Sequence, residues 1–274
     1  NNILYIYKMS KCPNGKDECD CSPEELRMAA NRGKSLKKMK APPKVFKVKD
    51  PDPDDKFADI HPHLPQPPSL LLIIGSVKQG KSNLVVNLLC NPDMYKDKFD
   101  IVKIISNTLN ADPKGKLMNK YFDCEDHYED SMITELIETQ KKYEDFERPS
   151  VALVLDDILT KDFKKSNAVS FLATRFRHYG IGLLAFTTQS FRAVSGLIRN
   201  NATDVIIMKQ QNQKELEKIN EEFGDMFPGI FMDLYNKAIK DAPYSFLYLD
   251  LQTNPAQAFI RFETQIGEGE KKLF

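Results

Sequence analysis

Twenty residues, LLLIIGSVKQGKSNLVVNLL from Leu70 to Leu89, constrain this chain more than any other stretch. An apolar run is interrupted by two glycines, and a lysine and a hydroxyl follow the second. Gly75, Ser76, Val77, Lys78, Gln79, Gly80, Lys81 and Ser82 fit G-x-x-x-x-G-K-[ST], set between a strand and a helix as the motif's mechanism requires. The glycines permit a tight loop whose backbone N–H groups turn inward onto phosphate oxygens. The helix start behind the loop adds free amides and a positive dipole end. Lys81 then reaches the β- and γ-phosphates, and the Ser82 hydroxyl holds Mg²⁺. The eight residues predict a site for ATP or GTP.

From Leu70 onward, apolar runs alternate with amphipathic or polar segments. Strands are predicted at Leu70 to Gly75, Phe99 to Ser106, Val151 to Asp157, Ile181 to Gln189 and Asp204 to Lys209. Strands this apolar, mostly separated by helical segments, predict a largely parallel sheet covered on both faces, a three-layer α/β domain. Near the end, SFLYLDL and QAFIRFE around QTNPA predict a pair of strands joined by a turn. The acidic segment from Tyr121 to Arg148 carries Ile133, Leu136 and Ile137 at helical spacing and predicts a solvated helix packed by that stripe. Half of the 16 prolines fall between Pro42 and Pro68, which predicts an extended arm or linker over 1–68 leading into a domain over 69–274. Nine Lys or Arg residues occur from Arg27 to Lys49 without one Asp or Glu, a solvated tail or a phosphate-binding one.

Two further strand ends carry matching chemistry. In VALVLDD, a buried strand beside the phosphate loop is expected to end in a carboxylate that anchors the metal, directly or through its water shell, and Asp156 fits. Asp157 can polarise a water for attack on the γ-phosphate, or simply cap the next segment. In IGLLAFTTQ, a strand lying beside the first would bring the Gln189 amide to the same edge, where it can bond to the γ-phosphate or the attacking water.

Lys plus Arg and Asp plus Glu both total 39, so any nucleic-acid partner must be met by a local patch. No apolar run approaches the roughly 20 residues that span a bilayer, and the first residues lack the pattern of a secretory signal, so the expected location is inside the cell. Five irregularly spaced cysteines argue for a reducing compartment. Neither Cys12, Cys19 and Cys21 nor Cys124 with His127 matches a four-ligand zinc spacing.

With GSVKQGKS, VALVLDD, RFRHYGIGLLAFTTQS and VSGLIRNNATDVII in that order, the chain resembles the FtsK-HerA group of P-loop ATPases, particularly the DNA-packaging ATPases of large DNA viruses and virophages. The resemblance covers about Leu70 to Lys209. It implies a RecA/ASCE-like P-loop NTPase fold and ATP with Mg²⁺ as cofactors. It also implies a homo-oligomeric ring, commonly hexameric, that threads double-stranded DNA and docks on capsid or portal proteins, with no membrane partner. In this group a basic residue near the Gln-bearing strand serves the neighbouring subunit's nucleotide. Arg177 matches it here, with Arg175 as its rival, and Arg199 lies in a second segment similar to the family's. One departure is the Asp156-Asp157 pair, where cellular members usually carry Asp-Glu; the shorter acid favours the viral branch. KDFKK, Lys161 to Lys165, is then either a candidate pore loop, with Phe163 touching DNA, or a solvated basic loop. Three other readings stay open: a plasmid or conjugative DNA pump, a small-molecule or nucleotide kinase using the same loop, and a nucleotide-binding assembly protein without motor action.

Overall fold

Strands apolar on both faces demand two cores, one on each side of the sheet. The computed structural model describes residues 57–110, 113–158, 163 and 166–267. The chain divides into units 1–52 and 53–274, and every described residue belongs to the second. The basic run from Arg27 to Lys49 and the Cys12, Cys19 and Cys21 cluster lie outside the described residues.

Among the described residues nine strands form one sheet: β1 (Ser69–Ile74), β2 (Ile101–Ser106), β3 (Asp123–Glu125), β4 (Val151–Asp156), β5 (Ile181–Thr188), β6 (Asp204–Ile207), β7 (Leu247–Asp250), β8 (Gln257–Ile260) and β9 (Thr264–Ile266). Their order is β3-β2-β4-β5-β1-β6-β7-β8-β9. The first six in that order are parallel, and β7, β8 and β9 continue antiparallel. The predicted strand pair is therefore β7 and β8, joined antiparallel at the edge of the parallel sheet.

Alternate residues of β1 enter opposite cores: Leu70, Leu72 and Ile74 one, Leu71 and Ile73 the other. Burying each such side chain contributes about 1.5–3 kcal/mol. Helix α1 (Lys81–Cys90), with Leu84, Val85, Leu88 and Leu89, covers the second core, as does Met118 of α2 (Pro113–Tyr121). The first core is covered by α3 (Asp130–Gln140), α4 (Asn167–Arg175), α5 (Gly196–Asn201), α6 (Gln213–Phe223) and α7 (Phe231–Asp241). The stripe on α3 is as expected, with Ile133 and Ile137 buried and Leu136 packed against them.

Four details differ from the sequence reading. Residues 57–68, expected as linker, pack on the sheet: Ile60 and Leu64 are buried, and the Tyr95 hydroxyl donates to the Pro65 carbonyl. The carboxylate strand β4 is not beside β1, because β5 lies between them. The acidic segment contains an edge strand, β3, whose Asp123 and Glu125 both reach Lys103 of β2, so ion pairing replaces the apolar pattern that marks a strand. Finally, Phe163 does not face outward; it is buried, edge-on to Tyr128 at 5.1 Å and to Phe186 at 6.2 Å. The lysines flanking it, Lys161, Lys164 and Lys165, lie outside the described residues.

Candidate nucleotide site

Where β1 ends, the chain must turn sharply to enter α1 over the sheet's edge. Gly75 sits so close to β6's exit that a Cβ there would stand 2.8 Å from the Met208 Cβ. Gly80 adopts φ 100°, open only to glycine at low cost, and hands the chain to Lys81. The loop is tied to both neighbours of β1: the Gly75 amide donates to the Thr188 carbonyl at 3.0 Å and the Ser76 amide to the Lys209 carbonyl at 3.2 Å. The Gln211 amide donates to the Ser76 hydroxyl at 2.9 Å. Helix α1 has no acidic residue in its first turn, so its amides and dipole are left to attract an anion.

Lys81 curls back into the loop. Its Nζ donates to the Gly75 carbonyl at 2.8 Å and weakly to that of Ser76 at 3.4 Å. Burial holds its ammonium below the ordinary lysine value, while Asp157 and Asp156 pull it part of the way back. A desolvated cation with only carbonyl partners is a strong attractor for phosphate oxygens.

Asp156 is buried at the end of β4 between two strand partners in register, Ser106 of β2 and Thr187 of β5. The Ser106 hydroxyl donates to its Oδ2 at 2.9 Å, and the Thr187 hydroxyl donates to its Oδ1. Burial pushes this carboxyl above its ordinary value and Asp157 adds to the shift, whereas the two hydroxyls and Lys81 oppose it. Each oxygen keeps a free lone pair for a cation or its water shell, so the donor set of Ser82 and Asp156 fits Mg²⁺.

Asp157, one residue on, takes φ 54°, an uncommon conformation for a residue with a Cβ. Its backbone amide points to the Thr187 carbonyl at 3.2 Å, and Gln189 Nε2 donates to its Oδ2 at 2.6 Å. The adjacency of β5 and β1 expected for Gln189 is observed. A cavity of about 860 Å³ opens over the loop, and Val77 to Ser82, Asp157 and Gln189 all line it.

The arginines stand elsewhere. Arg177 is exposed on a 3-10 turn, Phe176–Tyr179, which precedes β5 at the end opposite Gln189. Arg175 lies over the Phe171 ring at 4.4 Å. Arg199 pairs with Glu222 at 3.3 Å and lies over Phe191, with its Nε lacking a partner among the described residues. None of the three lines this chain's own cavity. Cys124 is a free thiol, and the described residues contain no cluster of metal-ligating groups.

Sequence reasoning passed over the hydroxyls of Ser106 and Thr187, although both sit at strand ends beside Asp156 and could have been read there. It also passed over the far cavity wall of Tyr244, Phe246, Arg261, Phe262 and Glu263, which has no motif.

A phosphate loop at the edge of a mainly parallel, doubly covered sheet defines an α/β P-loop NTPase fold. No family model matches the chain, and no curated protein matches it in sequence. Among solved structures, it shares this fold with B204, the DNA-packaging ATPase from Sulfolobus turreted icosahedral virus. That match has a TM-score of 0.54 at 18% identity, covering 72% of this chain and 98% of B204. The genome packaging NTPase B204 from Sulfolobus turreted icosahedral virus 2, in complex with AMPPCP, matches at a TM-score of 0.50 and 17% identity, covering 70% of this chain and 97% of that one. The shared fold is the P-loop NTPase fold that the motifs lead one to expect. Among the described residues no helix is long and apolar enough to cross a membrane.

Proposed function

We propose that this chain is an ATP-hydrolysing motor that translocates double-stranded DNA into a viral capsid, working as a homo-oligomeric ring, commonly of six subunits. The observation that carries the reading is the meeting of Lys81, Asp157 and Gln189 around one cavity, with Asp156 buried beneath it. Chemistry of this kind suits transfer of a γ-phosphoryl group to water. The loop amides and Lys81 hold the phosphates in place. Asp157 accepts the proton of an attacking water, and the Gln189 amide, already bonded to that carboxylate, orients the same water. Ser82 and Asp156 would hold Mg²⁺, which would supply neutralisation of the phosphate charge.

The fold shared with B204, a DNA-packaging ATPase, supports packaging as the work done. Arg177 would serve a neighbouring subunit's nucleotide, with Arg175 and Arg199 as alternatives; its exposure, away from its own chain's cavity, supports this reading. Capsid or portal proteins would dock the ring. A kinase must keep water from the γ-phosphate, and a carboxylate with an amide poised for water argues against that alternative.

The test is ATP hydrolysis by the full chain with and without long double-stranded DNA, across a salt series, with Lys81→Ala as the blank. The expected result is turnover that DNA stimulates, stimulation that fades as salt rises, and none in the blank. Turnover indifferent to DNA would remove the translocase reading, and unchanged turnover in Lys81→Ala would remove the site.

A further inference from the structure

Among the described residues five non-glycine positions have positive φ, and four of them line the cavity over the phosphate loop: Lys78 (63°), Asp157 (54°), Tyr244 (63°) and Arg261 (53°). A backbone held in this region by a residue with a Cβ persists only where its surroundings impose it, and such positions gather at functional sites. Lys78 and Asp157 belong to the phosphate end. Tyr244 and Arg261 belong to the other end, which the phosphate motif does not explain.

Sheet order says what that end faces. Strands β4 and β5 bring Asp157 and Gln189 to one side of β1, while β6, β7 and β8 extend from its other side. A γ-phosphate must face the carboxylate and the amide, so the nucleoside leaves the loop toward β6 to β8. There Tyr244, just before β7, is 70% exposed, and its ring edge lies 3.5 Å from where a Cβ of Gly80 would stand. Behind it Phe246 is buried. The ring of Phe262 meets Phe246 edge-on at 5.2 Å and Tyr248 at the same distance, which fixes its plane. Arg261 pairs with Glu263 at 2.8 Å and Asp241 at 3.2 Å, pinning the turn that carries Phe262.

We propose that Tyr244 is the stacking platform for the nucleotide base, on a wall completed by Phe246 and Phe262; this rests on the nucleotide-binding reading of the loop. A large exposed ring held in a costly backbone conformation against the second loop glycine offers its face to a flat ligand. Of the parts of a nucleoside triphosphate, only the base is flat. The triphosphate is thus gripped by Gly75 to Ser82 and the base by an element more than 160 residues further along the chain.

The experiment compares ATP with inorganic tripolyphosphate, which carries the phosphates and lacks the base, by calorimetric binding to the full chain. Tyr244→Gly removes the ring and also relieves the positive φ, so it does not strain the fold; Tyr244→Phe keeps the ring. Stacking of a base on an aromatic side chain corresponds to a loss of about tenfold in affinity when the ring is removed. Tyr244→Gly should therefore weaken ATP about tenfold and leave tripolyphosphate unchanged, Tyr244→Phe should match the wild type, and KM for ATP should rise with kcat held. Equal ATP binding by Tyr244→Gly, with both ligands lost in Lys81→Ala, would overturn the base platform and leave the phosphate site standing. Failure of the wild type to bind either ligand would overturn both.

Discussion

Two buried carboxylates sit at opposite edges of the same sheet: Asp156 closes β4, and Asp204 opens β6. Asp156 has two hydroxyl partners and Lys81 within electrostatic reach. Asp204 has four donors: Ser69 and Thr203 at 2.7 Å, Tyr248 at 2.6 Å and Gln252 at 3.0 Å. Burial raises both above the ordinary aspartate value, and Asp204 reaches about 6. The difference lies in what is left over. Asp204 is enclosed by fixed neutral donors that tie β1, β6 and β7 together, whereas Asp156 keeps lone pairs within electrostatic reach of the Lys81 ammonium in the cavity wall. Equal burial thus serves cohesion at one edge and charge handling at the other.

The sharpest way to break this contrast acts on the charge-handling edge. Asp157→Asn keeps an oxygen for the Gln189 amide but cannot take a proton, so ATP turnover should fall by about 10² to 10⁴. Its chemical-denaturation midpoint should stay close to that of the wild type, because Asp157 is only half-buried. Turnover retained within a few fold would mean that this edge handles no reacting proton.

How much of this was legible in the sequence depends on whether function required polar atoms at strand ends. Gly75 to Ser82, Asp156, Asp157 and Gln189 all interrupt or end apolar runs, so their chemistry stands out against a greasy background. Tyr244 and Phe262 serve by shape, and an aromatic residue before a strand looks like any other part of the core. Strand β3 was hidden because two of its three residues, Asp123 and Glu125, pair with Lys103, leaving only Cys124 to pack against the core. The adjacency of β5 to β1 was legible through the Gln189 amide, but not that β5 also separates β4 from β1, since apolar strands of similar composition carry no label for their neighbours. Phe163, set among lysines, looked exposed by its company, but its ring is buried with Tyr128 and Phe186.

The cohesive edge should fail in stability and not in chemistry. Asp204→Ala strands the Tyr248 and Ser69 hydroxyls and opens a small void, so unfolding free energy should drop by about 3 kcal/mol in urea titration. The same carboxyl gives a pH signature. Its folded value of about 6 lies above the ordinary 3.8, so between those limits the folded chain binds the proton more tightly than the unfolded chain. The stabilisation is complete below about 4 and is lost as pH rises through 6, by up to about 3 kcal/mol. Asp204→Asn should flatten that window. A window of unchanged slope in the variant would assign it to another group.

Asp156 gives the opposite signature, because its ionised form is the useful one: protonation removes the charge that would face a cation, so activity should fall toward acid pH. Ser106→Ala withdraws one hydroxyl from the carboxylate while leaving Thr187 in place. A neutral hydrogen bond contributes about 0.5–1.5 kcal/mol, which corresponds to a two- to tenfold change in the ionisation equilibrium. Losing it disfavours the anion, so the acid limb of kcat/KM should move to higher pH, with two- to tenfold less activity on the limb and nearly wild-type turnover on the alkaline plateau. An unmoved acid limb would mean that another group sets it. A fall of equal size at every pH would mean that Ser106 acts through packing and not through the charge on Asp156.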